Sequence, residues 1–271
     1  MSIKLISISY NRVKLTKIAS TYQIMIESNY KQATRIIQKT ERITNLPVRV
    51  SWDETLPVGS ILHLSEMDWA KQLRISVNPN RPDIPYLVAS QCGVALRFLK
   101  QKENKHLNSK KGSIEKTITE FIDLGYTKKN AEHYAHHLVS GVGRQLRGTP
   151  SQILLFTWIY REYPELRECQ LNHCNIEVES SYLCLEMSKD KFPDWLLKSH
   201  QAMNGAFALA ADYLFERNDL FEPFKKKGYE EICTGLVGDI TTSNPDDPDT
   251  QLVALWLNRM SLNDEFEWNA L

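Results

Sequence analysis

Ile84-Pro85-Tyr86-Leu87-Val88-Ala89-Ser90-Gln91-Cys92-Gly93-Val94-Ala95-Leu96-Arg97-Phe98-Leu99 is the stretch on which the fold turns. It is apolar nearly all round until Lys100, the pattern of a buried central helix rather than a surface one. Asp83 stands where a capping side chain belongs, and Pro85 suits the first helical turn. Upstream, Asn78-Pro79-Asn80-Arg81-Pro82 is a loop, because two prolines so close together exclude regular structure. Downstream, the polar Asn/Lys/Gly-containing segment 101–112 separates this helix from the rest of the chain.

Towards the N-terminus, three short β-type runs precede the loop: Val48–Trp52, Ile61–Leu64 and Leu73–Val77. Before them, 17–43 predicts a long amphipathic helix, with Ile18, Tyr22, Met25, Ile26, Ala33, Ile36 and Ile37 at helical spacing and Leu46-Pro47 as its stop. Towards the C-terminus the pattern predicts helices near 114–123, 127–146, 151–162, 164–174, 192–217, 228–238 and 247–260, with Ile176–Met187 as a possible extended segment. The breaks fall at Gly125, Gly148-Thr149-Pro150, Pro164, Pro193, Gly228 and the acidic turn Asn244-Pro245-Asp246-Asp247-Pro248. The expected class is α+β, mostly α: a helix, three-stranded sheet and buried helix in residues 1–108, then an all-helical lobe over 112–271, the two forming one compact unit.

Composition bounds the function. Hydrophobic residues make up 42% of the 271 and charged ones 24%, an ordinary balance for a globular chain able to bury a core. Net charge is zero, so no global field indicates nucleic acid or a membrane surface. The charge is uneven: residues 1–50 hold nine Lys and Arg against Glu27 and Glu41, while Asp212 onward holds thirteen acids against five bases. No apolar run approaches the roughly 20 residues that span a bilayer, and the N-terminus, with Lys4 in a short apolar stretch, lacks the pattern of a signal peptide. Five cysteines, an odd number, fit reduced thiols in a cytoplasm.

The order helix, small sheet, buried helix resembles the first lobe of zincin metallopeptidases. In that superfamily the buried helix carries His-Glu-x-x-His: imidazoles at i and i+4 converge on one zinc ion, and the glutamate acts as general base on the bound water. Small cytoplasmic bacterial members read close to Ala-His-Glu-Leu-Gly-His-Ala-Leu-Arg. Here Ala89, Gly93, Ala95, Leu96 and Arg97 match, and the three chemical positions fall on Ser90, Gln91 and Val94. A serine hydroxyl is a poor zinc ligand, valine is none, and glutamine has no group that takes a proton from water. Further on, Gln145-Leu146-Arg147-Gly148-Thr149-Pro150, Ile153–Trp158 and Arg161-Glu162-Tyr163-Pro164-Glu165-Leu166-Arg167 resemble the helix that supplies a carboxylate ligand in active relatives, and Phe156 stands at that position. The resemblance therefore implies a degenerate metallopeptidase with its former site at Ser90, Gln91, Val94 and Phe156, filled and dry, and without catalytic residues or a cofactor.

Other clusters offer other chemistry. His133 and His137 lie i, i+4 on one helix, with His136 and Glu132 adjacent, and form the alternative metal site of a hydrolase using different residues. Cys169, His173, Cys174 and Cys184 have the ligand types of a zinc site but not its usual spacing. Cys92 is mid-helix, where no helix dipole favours a thiolate, and reads as core. Lys225-Lys226-Lys227-Gly228 reads as the basic end of a helix. No glycine-rich phosphate loop exists. Lys31, Arg35 and Lys39 form a basic face for a partner, and Glu265-Phe266-Glu267-Trp268 either docks onto the fold or recruits a protein. The expected function is a cytoplasmic, non-catalytic scaffold, adaptor or regulator that binds a protein, in the setting of a bacterial regulatory or defence assembly, with an unrelated helical interaction module as the third reading.

Overall fold

The structure is a computed structural model and describes residues 30–63, 71–100, 105–243 and 247–270. The expected helical positions Ile18, Tyr22, Met25 and Ile26, the end of the second β run, and Asn244-Pro245-Asp246 lie outside these residues. The class is α+β and mostly α, with a small three-stranded sheet followed by a helical region. The chain divides into two compact units, Met1–Leu96 and Arg97–Leu271.

In the first unit a 3-10 turn, Lys31–Ala33, leads into α1, Thr34–Thr44. Ala33, Ile36 and Thr40 face inward at the spacing of one helical face. Asn45 ends the helix in the left-handed conformation, at φ 56°. The Glu41 carboxylate then accepts the Val48 N–H at 2.8 Å and fixes the start of the sheet. Strands β1 (Val48–Trp52), β2 (Ser60–Leu62) and β3 (Leu73–Val77) pair in the order β1-β3-β2, β1 parallel and β2 antiparallel to β3. The central strand is the apolar one: Leu73, Ile75 and Val77 are fully buried. α2, Ile84–Lys100, follows. Its residues Tyr86 through Ala89 are buried without a break, which is why its pattern reads as apolar all round.

The second unit begins within the last turn of α2 and contains β4 (Lys105–Ser109), α3 (Lys111–Asp123), α4 (Lys128–Glu162), α5 (Arg167–Ser181), α6 (Asp194–Phe215), α7 (Glu222–Lys226), α8 (Glu230–Thr241), α9 (Asp249–Arg259) and β5 (Phe266–Ala270). Three features differ from the sequence reading. The two helices expected on either side of Gly148-Thr149-Pro150 are one, because α4 runs through Pro150. Proline removes one backbone donor and usually breaks a helix; here Leu146 and Ile153 on either side are buried and hold the segment in register. The segment Ile176–Met187 is not extended: α5 continues to Ser181, and a 3-10 turn, Tyr182–Glu186, follows.

The third difference adds a two-stranded sheet to the helical unit. Lys105–Ser109, expected within a loop, pairs antiparallel with Phe266–Ala270, bringing Leu107 opposite Trp268. The tail docks rather than hanging free. Phe266 is buried, packs edge-on to Trp195 with ring centroids 6.4 Å apart, and lies against Gly143 so closely that a Cβ there would meet its ring at 3.0 Å. Glu265 is buried beside it, paired with Lys116 at 2.7 Å and accepting the Ser113 hydroxyl. Burial pushes its carboxyl up, but Lys116 and Ser113 outweigh that and hold it below its ordinary value. Elsewhere α6 and α8 touch at Gly205, where a Cβ would meet Cys233 Sγ at 2.7 Å. Asp212, near the end of α6, accepts the Leu220 and Phe221 N–H groups at 3.2 and 3.0 Å.

Candidate functional site

On α2 the inward residues leave one strip partly open. Ser90, Gln91, Val94 and Arg97 are half-buried, while Ala89, Cys92, Gly93, Ala95 and Leu96 are buried. Residues three and four apart share a helical face, so the strip is where a helix-borne site would present its groups. The strip is not packed away, as a filled and dry site would be; its chemistry is what differs. The Gln91 amide donates to Ser60 Oγ at 3.0 Å, which ties α2 to the start of β2. Leu87, one turn earlier, packs against Gly59. No imidazole or carboxylate stands at any of the four positions. Cys92 is fully buried, and desolvation pushes its thiol up to about 12, so it stays a thiol near neutral pH.

Phe156 belongs to the second unit, where it is fully buried against Phe207 and Phe215, with ring centroids 5.4 and 6.1 Å away. The Gln170 side chain donates to its carbonyl at 2.7 Å. Its surroundings are those of an aromatic core.

The histidines of α4 are exposed. His133 and His137 stack edge-to-face at 5.2 Å, as their i, i+4 spacing requires, beside an open polar concavity that also takes in Lys129, Glu132, His136 and Arg144. Cys169 is half-buried, and His173, Cys174 and Cys184 are buried; none of the cysteines is in a disulfide. Desolvation raises the Cys174 and Cys184 thiols above their ordinary values. Among the described residues no three His, Cys, Asp or Glu side chains gather as a metal site would require.

In the first unit Lys31, in the 3-10 turn, and Arg35, in α1, are exposed, and Lys39 of α1 is half-buried. Lys225 and Lys226 end α7 and pair with Glu230 and Glu222 at 2.7 and 3.4 Å. His63 Nε2 and Ser51 Oγ meet the Ser76 hydroxyl at 2.8 and 3.1 Å. Ser76 is buried in the middle of β3, so these contacts clamp neighbouring strands and do not expose a nucleophile.

Sequence reasoning passed over one further feature. A cavity of about 750 Å³ lies within the helical unit, walled by α4, the end of α5 with its 3-10 turn, and α6. Gln145, His200 and Asn204 meet there. The signal was present: His200 and Asn204 are polar residues four apart in a helix made otherwise mainly of Ala, Leu, Met and Phe. No protein-family model, curated protein or solved structure matches this chain. None of the described helices is long and apolar enough to cross a membrane.

Proposed function

We propose that the protein is a non-catalytic relative of the zincin metallopeptidases that acts by binding another protein, as a scaffold, adaptor or regulator. The half-open strip of α2 carries this reading. It is where a zincin helix would hold its metal, and it offers a hydroxyl, a carboxamide already engaged by Ser60, a valine and an arginine. None of these holds zinc or takes a proton from water. The order helix, sheet, helix, with α2 seated on the sheet through Leu87 and Gln91, supports the kinship. The basic face of Lys31, Arg35 and Lys39 is the candidate contact for an acidic partner surface.

The test combines two assays on the full chain. Incubation with unfolded protein substrates and added zinc is expected to leave them intact. Capture of a defined partner is expected to weaken when Lys31, Arg35 and Lys39 are each replaced by Glu. Peptide-bond cleavage that requires zinc and disappears in His133→Ala with His137→Ala would replace this reading with a working metal hydrolase. Partner capture indifferent to the charge reversal would remove that face from it.

A further inference from the structure

The cavity of the helical unit is built around a closed ring of three neutral polar side chains. His200 Nδ1 lies 2.7 Å from Gln145 Oε1. A carboxamide oxygen only accepts, so Nδ1 carries the proton. Gln145 Nε2 donates to Asn204 Oδ1 at 2.9 Å, and Asn204 Nδ2 faces His200 Nε2 at 3.4 Å, which must then be the unprotonated nitrogen. Each member gives one proton and takes one, and the ring carries no charge. Burial independently favours neutral His200, holding its imidazole below its ordinary value.

The ring leaves capacity unused. Gln145 keeps one N–H and each carbonyl keeps a lone pair, while the second N–H of Asn204 is turned to the Cys184 thiol. These groups are half-buried in a space of about 750 Å³, within the range of small-molecule sites. The lining also holds the apolar Phe207, Met187 and Leu183, among neutral polar residues such as Thr149 and Gln152. Two charged side chains line the cavity, Arg144 and Glu177, of opposite sign. That leaves no surplus cation for a phosphate and no surplus anion for an ammonium group.

Donor beside acceptor on Gln145, apolar side chains in the same lining and no net charge suit a planar, uncharged, amide-bearing ligand. We propose that this cavity binds an uncharged nucleobase or nucleoside, its amide-type edge read by the Gln145 carboxamide and the Asn204 carbonyl and its ring laid on Met187 and Phe207. A carboxamide matches the paired donor and acceptor of a base edge as it does in nucleic-acid readout. Aromatic and thioether side chains such as Phe207 and Met187 accept the π-face of any base. The site lies wholly in the helical unit and uses no residue of the α2 strip, so it stands or falls apart from the scaffold reading.

The test is calorimetric titration of the full chain with adenine, cytosine, uracil, adenosine, guanosine and uridine, with maltose and inorganic phosphate as controls. At least one base or nucleoside is expected to bind with Kd below about 1 mM and to shift the methyl resonance of Met187, identified by its loss in Met187→Leu. Gln145→Glu keeps the shape but removes a donor and adds charge; it is expected to weaken binding at least tenfold. Asn204→Leu should do the same. Absence of binding by all six compounds in the wild type overturns the proposal, whatever the variants do. So does a Met187 methyl that does not respond, an affinity unchanged in Gln145→Glu, or equal binding of maltose or phosphate.

Discussion

At the scale of single residues, burial decides the chemistry. Cys92, Cys174, Cys184 and Cys233 are buried and Cys169 is half-buried. Desolvation pushes the thiols of Cys92 and Cys233 up to about 12. Iodoacetamide applied to the native protein near pH 8 should therefore modify Cys169 first and leave the other four until denaturant is added; peptide mass mapping reads the order. His200 gives a second expectation. Its folded-state value lies below the ordinary 6.5, so between the two the unfolded chain binds more protons than the folded one. Its contribution is complete above about 6.5 and declines as pH falls towards the lowered value. Urea unfolding should show wild-type stability dropping between pH 7 and pH 5 more steeply than that of His200→Gln; parallel curves would contradict a neutral buried imidazole. Glu265, also held below its ordinary value, acts in a separate window below about 4.5. The start of α2 between Asp83 and Pro85 was legible from residue types, although the Asp83 carboxylate accepts from Arg81 at 2.9 and 2.8 Å, whereas the Gln145–His200–Asn204 ring was not legible. Its members sit 55 residues apart along the chain, from Gln145 to His200, and only tertiary packing joins them.

At the scale of elements, periodicity read the helices well and punctuation read their limits less well. The α2 helix and strands β1 and β3 lie where the apolar pattern placed them, and β2 is Ser60–Leu62 where Ile61–Leu64 was expected, Leu64 lying outside the described residues. Pro150 misled because local rules put a break at Gly148-Thr149-Pro150, and burial on both sides overrides the lost hydrogen bond. The β4–β5 pair was hidden because Lys105–Ser109 is polar and short, with Leu107 its one buried side chain. Its partner lies at the far end of the chain. Docking of that end rests on Phe266, so Phe266→Ala should cost about 3–5 kcal/mol, seen as a lower urea midpoint with an unchanged slope. A midpoint equal to that of the wild type would mean that the C-terminal strand contributes nothing to the fold.

At the scale of the whole molecule, the mostly helical α+β class was legible, whereas the functional reading stays a proposal built on a resemblance. Ala89, Gly93, Ala95, Leu96 and Arg97 carry the likeness to a zincin helix on which the proposal draws, and small residues on a buried helix also serve packing alone. What the structure adds is that Ser90, Gln91 and Val94 border an accessible strip instead of filling a core. The chemistry of that strip decides whether zinc can bind there. The most direct measurement is zinc content per chain by mass spectrometry of the metal, after the purified protein is saturated with zinc and dialysed against metal-free buffer. The account predicts that no stoichiometric zinc is retained. One zinc per chain, lost when Ser90 and Gln91 are both replaced by Ala, would contradict it.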